Sequence, residues 1–375
     1  MGLASITSVA IILLGVQTLL LIGLILQKSS RNLSYWLLSL ILFLFFLTLL
    51  NYGAFNILVV FDRAEWIPYL QLELLFGFGP AIYLYTKSLT DKSFQFRKLD
   101  WLHFALPSLE FIYYRTPFFR NGAISLSEVA TNGWHLLYQV IQWGGLASLI
   151  CYLVCSIYLL RAYQNWLKTR FSNLEKRALT WLRKPIMIYT LFSCIWLPLR
   201  IADILIFDET LRSYYFNLGF LGLAAITCWI GFKGYLTVST RTEGFLTKEE
   251  SKNISPDLDH LTRVAEMLKM EMVENKYYLD SDLTLATFSG ATGYSQKEIS
   301  KALNTSLKMS FHEFVNQYRV DAFKSNLVKE EYAHLSLLGL ALESGFGSKS
   351  TFNLVFKANT GLTPKKYKDQ LEKKS

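Results

Sequence analysis

Leu340-Ala341-Leu342-Glu343-Ser344-Gly345-Phe346-Gly347-Ser348-Lys349-Ser350-Thr351-Phe352-Asn353-Leu354-Val355-Phe356-Lys357 is followed by Thr360-Gly361-Leu362-Thr363-Pro364. The stretch reads as a helix, a tight turn at Gly345 and a second helix capped by Ser348, whose hydroxyl can satisfy an orphan amide of the first turn. That is helix-turn-helix spacing, which lays a second helix along a DNA major groove.

Upstream the same layout occurs once more. Asp282 is the expected cap, Leu285 and Phe288 face a core, Ser289 lets helices approach, Gly293 turns the chain, and Ser295 caps a helix through Leu303. A linking helix follows at about Phe311 to Leu327, with Phe314, Tyr318, Ala322 and Leu327 as its buried stripe. The second unit uses Leu337, Leu340, Ala341, Gly345, Phe346 and cap Ser348, so the two second helices start at Gln296 and Lys349, 53 residues apart. Earlier still, Leu258, Leu261, Ala265, Leu268 and Met272 form one apolar stripe behind an expected start at Ser255-Pro256. Such a stripe either packs on the domain that follows or pairs with a second copy, giving a homodimer through 258–272.

The preceding two-thirds of the chain is different in kind. Over 375 residues, 52% are hydrophobic and 15% aromatic, too apolar for an ordinary soluble protein. Apolar stretches place seven membrane spans at Leu3 to Leu26, Leu33 to Val60, Trp66 to Thr86, Leu99 to Tyr114, Trp134 to Leu160, Pro185 to Phe207 and Tyr214 to Leu236. The fourth is short and interrupted by His103, Pro107 and Glu110. Loops after spans one, three and five hold thirteen Lys/Arg, against four after spans two, four and six, which puts the N-terminus outside and the C-terminal domain in the cytoplasm. The net charge of +9 is no signal of DNA binding: residues 1–240 carry 19 basic against 11 acidic residues, while 241–375 carry 19 against 18.

Ionisable groups within spans are costly and call for a reason. Glu73, Glu110, Arg200 and Asp203 all fall in the outer half, on helices that also contain Pro80, Pro107 or Pro198. With His135, Tyr138 and Gln142 they form a candidate outward-facing ligand pocket for a small-molecule or envelope signal; the plainer alternative is that Arg200 neutralises Asp203 and the glutamates reach the interface. Cys151, Cys155, Cys194 and Cys228 lie in apolar segments and are expected to be buried. No metal-ligand cluster, phosphate-binding loop or nucleophile motif occurs, so no enzyme activity, cofactor or metal is expected.

The tandem units, and above all Gly345-Phe346, Ser348 to Asn353, Phe356-Lys357 and Thr360 to Pro364, resemble the DNA-binding domain of the AraC/XylS family of bacterial transcription regulators over about Asp280 to Lys368. The whole chain is similar to members with an N-terminal multi-span membrane domain, and Gly79-Pro80, Tyr83-Leu84-Tyr85 and the basic stretch after span three add to that likeness. The resemblance implies two recognition helices in successive major grooves, about 34 Å apart. It assigns base reading to Gln296, Lys297, Ser300, Lys301, Lys349, Ser350 and Asn353, and phosphate contacts to Lys357, Lys365, Lys366 and Lys368. Leu354 departs from it, standing where many relatives place a polar reader, as does Glu298, a negative charge facing either solvent or a cytosine amine.

The expected protein is all-α: a seven-helix transmembrane bundle at 1–238, a linker with an amphipathic helix at 239–275, and a tandem helix-turn-helix domain at 276–375. Its expected partners are double-stranded DNA, the lipid bilayer of the bacterial inner membrane, an unidentified signal and RNA polymerase. The alternative is a membrane receptor or transporter whose helical cytoplasmic tail binds a protein.

Overall fold

The computed structural model describes residues 3–28, 32–60, 71–91, 94–116, 133–175, 177, 179–206, 212–237 and 258–372. The chain divides into two units, one of Met1–Arg161 with Leu179–Leu246, the other of Ala162–Ala178 with Thr247–Ser375. The second unit thus includes residues 162–178, which lie within the expected membrane half.

The first unit contains α1 (Leu3–Lys28), α2 (Leu33–Val60), α3 (Leu75–Thr90), a 3-10 helix (Lys98–Phe104), α4 (Ala105–Arg115), most of α5 (Gly133–Arg170), α6 (Thr180–Ile206) and α7 (Arg212–Thr237). Among the described residues, four stretches are long and apolar enough to cross a membrane: Thr7–Gln27, Leu33–Phe55, Val140–Arg170 and Gly219–Leu236. This is fewer than the seven expected. The third expected span is a 16-residue helix and the fourth an 11-residue one; at 1.5 Å per residue these reach about 24 and 16 Å, short of a hydrocarbon core of roughly 30 Å. α6 is 27 residues long and carries Arg183, Lys184, Arg200 and Asp203.

Small residues let these helices pack closely. A Cβ on Gly234 would lie 2.5 Å from Leu38, one on Gly231 2.8 Å from Leu21, and one on Gly79 2.6 Å from Tyr152. The unit is also apolar outward: Leu13, Leu20, Tyr158, Leu191 and Ile195 are exposed, whereas Glu110 and Asp203 are buried. Cys151, Cys155 and Cys194, expected inside, lie on that outward surface, where a small thiol costs nothing beside exposed leucines.

The second unit contains α8 (Leu258–Glu274), a 3-10 turn (Tyr277–Leu279), α9 (Leu285–Thr292), α10 (Gln296–Ala302), a π-helical turn (Leu303–Leu307), α11 (Phe311–Leu327), α12 (Leu337–Glu343), α13 (Lys349–Thr360) and α14 (Pro364–Glu372). The residues before Leu258, with the expected Ser255-Pro256 start, lie outside the described ones. Two hydrophobic clusters form. In the first, Leu261, Val264, Ala265, Leu268 and Met272 of α8 meet Leu285, Phe288, Ile299, Ala302, Phe311, Phe314 and Val315. In the second, Val320 and Phe323 of α11 meet Leu340, Ala341, Phe346, Phe352, Val355 and Phe356. The α8 stripe therefore packs into its own unit, except Leu258, which is exposed.

α11 bridges the clusters, and its buried face is rotated from the expected one. Tyr318, Ala322 and Leu327 are half-buried, while Phe311, Phe314, Val315, Asn316, Arg319, Val320 and Phe323 are buried. A helix packed against two clusters buries a wider face than one apolar stripe. Local caps fix the helix starts. Thr284, not Asp282, caps α9 and shares a capping box with Thr287, because the helix starts at Leu285 and Thr284 is the residue before it. Ser295 pairs with Glu298, and Ser310 with Glu313, in two further capping boxes.

Arg319 sits fully buried between the clusters. Its Nε donates to the Tyr278 carbonyl at 2.8 Å, and its Nη2 to the Asp280 carbonyl at 2.6 Å and the Ser172 hydroxyl at 3.1 Å. Its Nη1 donates to Asn316 Oδ1 at 3.2 Å. Burial lowers its pKa to about 10, so it stays charged at neutral pH. Ser172 is equally buried: its amide and hydroxyl donate to the Leu283 carbonyl, and its own carbonyl meets His312 Nδ1 at 2.7 Å and Asn316 Nδ2 at 3.1 Å. An isolated antiparallel bridge joins Phe171 to Thr284.

Two predictions follow from this centre. Arg319→Ala removes the side-chain donor to the part-buried Tyr278 carbonyl and one of two donors to the Asp280 carbonyl, which the Leu283 amide also reaches, at about 1–3 kcal/mol for a group left unsatisfied. It is expected to lower the urea midpoint of the C-terminal unit, read by hydrogen exchange at α11, with Arg319→Lys recovering only part of the loss. His312 is held below the usual imidazole value of 6.5, first by burial and then by Arg319 and Lys168, against the opposing pull of the Ser172 carbonyl and Glu313. The unfolded chain therefore binds more protons than the folded one below about pH 6.5. Its contribution is complete above that pH and is lost as the pH falls through the depressed folded value. Glu298 and Glu313, held below the usual carboxylate value chiefly by their capping serines, lose theirs only in more acid solution. A melting series from pH 7.5 to 5 should show the first loss, and His312→Asn should flatten it.

Candidate nucleic-acid interface

Within the second unit, α10 and α13 each follow a helix and a glycine turn, and each is built to start sharply. Ser295 accepts from the Glu298 amide, and Ser348 from the Thr351 amide. The turns before them need left-handed backbone, at Gly293 with φ 79° and Gly345 with φ 88°. At Gly345 a Cβ would also lie 2.2 Å from the Tyr278 carbonyl, so the turn is pressed against the segment that Arg319 holds. α13 ends at Gly361, with φ 73°, whose amide donates to the Lys357 carbonyl. Pro364 then opens α14, and its Tyr367 stacks edge-on against Phe356 at 5.3 Å. The Thr-Gly-Leu-Thr-Pro run is thus a helix stop followed by a helix start.

Opposite their buried faces, both helices present polar side chains. Lys297, Lys349, Ser350, Asn353 and Lys357 are exposed, and Gln296, Ser300 and Lys301 are half-buried. On α14, Lys365, Lys366 and Lys368 are exposed, with Lys368 3.6 Å from Glu372. Among these, Leu354 is an anomaly, an apolar side chain 75% exposed on the middle of α13. Glu298 closes the capping box at the start of α10. One carboxylate oxygen accepts the Ser295 amide at 3.0 Å and hydroxyl at 2.6 Å, and the other lies 3.8 Å from His260, so its charge supports the helix start.

A second set of contacts was not anticipated from sequence. Glu175 accepts hydrogen bonds from the hydroxyls of Ser348 and Ser350, and from Thr351 Oγ1 at 3.3 Å. Arg170 donates to the side-chain oxygen of Gln296. Asn173 lies against Gly347, where a Cβ would come within 2.6 Å of its amide nitrogen. Sequence showed this stretch only as the basic loop after span five. Its pairing partners lie 111 to 176 residues away, beyond any local pattern.

In the first unit, Glu110 caps the start of α3, its two oxygens accepting the Leu75 and Phe76 amides at 3.0 Å each. Asn51 accepts the Leu72 amide at 3.1 Å, and Arg115 donates to the Gln71 carbonyl at 2.9 Å. Gln142 lies 3.4 Å from the Tyr114 hydroxyl, one turn from Glu110, while Glu73 is half-buried and Asp203 buried. The side chains of His135, Tyr138 and Arg200 lie outside the described residues. Among the described residues no cluster of metal-binding side chains occurs.

Residues 288–370 match a family model described as a helix-turn-helix domain. Over 91 residues the chain is 34% identical to an uncharacterized HTH-type transcriptional regulator of Staphylococcus aureus (strain COL), a match covering 24% of this chain. It is 33% identical over 91 residues to a like-named protein of strain MSSA476. The match spans only 12% of the length of these staphylococcal proteins. A third relative, an uncharacterized HTH-type transcriptional regulator of Pseudoalteromonas carrageenovora, is 26% identical over 119 residues, 32% of this chain and 68% of that protein. No solved structure matches the chain. The C-terminal part of the chain therefore carries a helix-turn-helix domain similar to those of proteins named as transcriptional regulators.

Proposed function

We propose that the protein is a membrane-embedded, sequence-specific DNA-binding transcription regulator of the AraC/XylS type, which couples a signal at or outside the membrane to promoter control. The observation that carries this reading is the pair of serine-capped helices, α10 and α13, each packed by one face into its own hydrophobic cluster and joined by the single helix α11. Their outer faces hold hydrogen-bonding and cationic side chains suited to base edges and phosphates. Exposed Leu354 fits an apolar contact with a thymine methyl, a preference that a polar residue there would not give.

The outward apolar surface and buried carboxylates of the first unit support membrane embedding, since that pattern suits lipid rather than water. In this reading the bacterial inner membrane holds the first unit and the second lies in the cytoplasm, on the side where loop positive charge accumulates. The signal pocket remains assigned to Glu73, Glu110, His135, Tyr138, Gln142, Arg200 and Asp203. Within it, Glu110 has the definite task of holding the start of α3.

Genome-wide mapping of sites bound by the full-length protein tests the function, and the recovered sites then serve as probes. Asn353→Ala is expected to cost about 1–3 kcal/mol at one position of the site and to relax selectivity there. Lys366→Ala should weaken all sequences alike and reduce the salt slope by about one. Equal, sequence-independent losses from both changes would overturn the assignment. Recovery of no sites would favour a receptor whose tail binds a protein.

A further inference from the structure

Resting on that reading, the structure carries one step more, about how the reading surface is controlled. We propose that residues 170–175, which leave the end of α5, form a plug that competes with DNA for both recognition helices. The plug has an anchor and two blocking side chains. Ser172 is the anchor: buried, with its amide and hydroxyl on the Leu283 carbonyl and its carbonyl on His312 and Asn316, it also accepts from Arg319. These partners lie on the lead-in to α9 and on α11, away from the exposed faces of α10 and α13.

From that anchor the chain reaches both recognition helices. Upstream, Arg170 occupies the side-chain oxygen of Gln296 at the start of α10. Downstream, Asn173 fills the space beside Gly347, and Glu175 places its carboxylate on Ser348, Ser350 and Thr351 at the start of α13. An anion accepting hydroxyl hydrogen bonds at a helix N-terminus takes donors that would otherwise serve DNA, a base acceptor at Ser350 and a phosphate beside it. Glu175 and a backbone phosphate cannot both use those donors, and like charges at that distance repel. DNA must displace the plug, and whatever holds the plug in place lowers DNA affinity. Arg170 is the last residue of α5, so a movement of that helix carries the blocking side chains with it.

The test uses the full-length protein in nanodiscs and a fluorescein-labelled 40-base-pair duplex of mixed sequence at low salt. Glu175→Gln and Glu175→Ala should bind roughly fivefold to tenfold more tightly than wild type, a typical coupling between two competing occupants. Glu330→Gln removes an equal charge from an exposed turn and controls for net charge. In a background with the four native cysteines replaced by serine, Asn173→Cys, buried at rest, should react with a maleimide several times faster once duplex is added. Binding by wild type with no gain from Glu175 changes beyond that control overturns the plug. A gain without faster labelling also overturns it, since the charge would then repel DNA without the segment leaving. Absence of binding by every variant at low salt overturns instead the DNA reading itself.

Discussion

The C-terminal unit depends on a buried guanidinium. Arg319 sits where the two hydrophobic clusters meet, and a charge can be kept there only if its donors are satisfied. The Tyr278 and Asp280 carbonyls do this from the turn between α8 and α9, Asn316 from the same helix, and Ser172 from a segment more than a hundred residues earlier. The arginine thereby fixes three pieces of chain at once. Gly345 lies against the same Tyr278 carbonyl, which carries the constraint on to the turn that aims α13.

The two units solve opposite solvation problems with the same helical material. In the first, exposed side chains such as Leu13, Leu20 and Leu191 are apolar, and the polar groups turn inward to satisfy backbone: Glu110 and Asn51 hold the amides at the start of α3. In the second, phenylalanines fill the clusters and lysines face out. The break in hydropathy after Leu236 marks this change along the chain, but not in space. Residues 162–178 are covalently flanked by apolar sequence and cluster with the helix-turn-helix domain.

That difference explains what was legible. Features coded by neighbours in sequence are legible: the span of α11, the turns at Gly293 and Gly345, the caps at Ser295 and Ser348, and the burial of Phe288, Ala341 and Phe346. Choices between adjacent polar residues are less so. Asp282 and Thr284 are both good caps, and the helix starts two residues later than Asp282 would set it, with Thr284 as cap. Glu298 reads in sequence as a charge facing solvent or a base, whereas in the fold it closes the capping box with Ser295. Arg319 was invisible, since a lone arginine on a helix is ordinarily solvated. The candidate signal residues were found by the cost of burying charge, which marks Glu110 but cannot tell a helix cap from a ligand contact.

The two helices proposed to read DNA bear on how such a domain can be regulated at all. A free helix of seven or twelve residues is marginal in water. Here each is held by a serine cap, a glycine turn and a face of buried side chains, so its geometry is set before any partner arrives. Control that unfolded α13 would have to break the cluster of Phe346, Phe352 and Phe356, at a cost comparable with the stability of the whole unit. Control by covering its exposed end costs only a few hydrogen bonds. The contacts of Glu175 and Arg170 are of that cheaper kind, and they fall on side chains rather than on the core that shapes the helices. If α10 and α13 read DNA as proposed, such a preformed surface is regulated most economically through access to it, and the proposed plug anchored at Ser172 would act there without disturbing the fold.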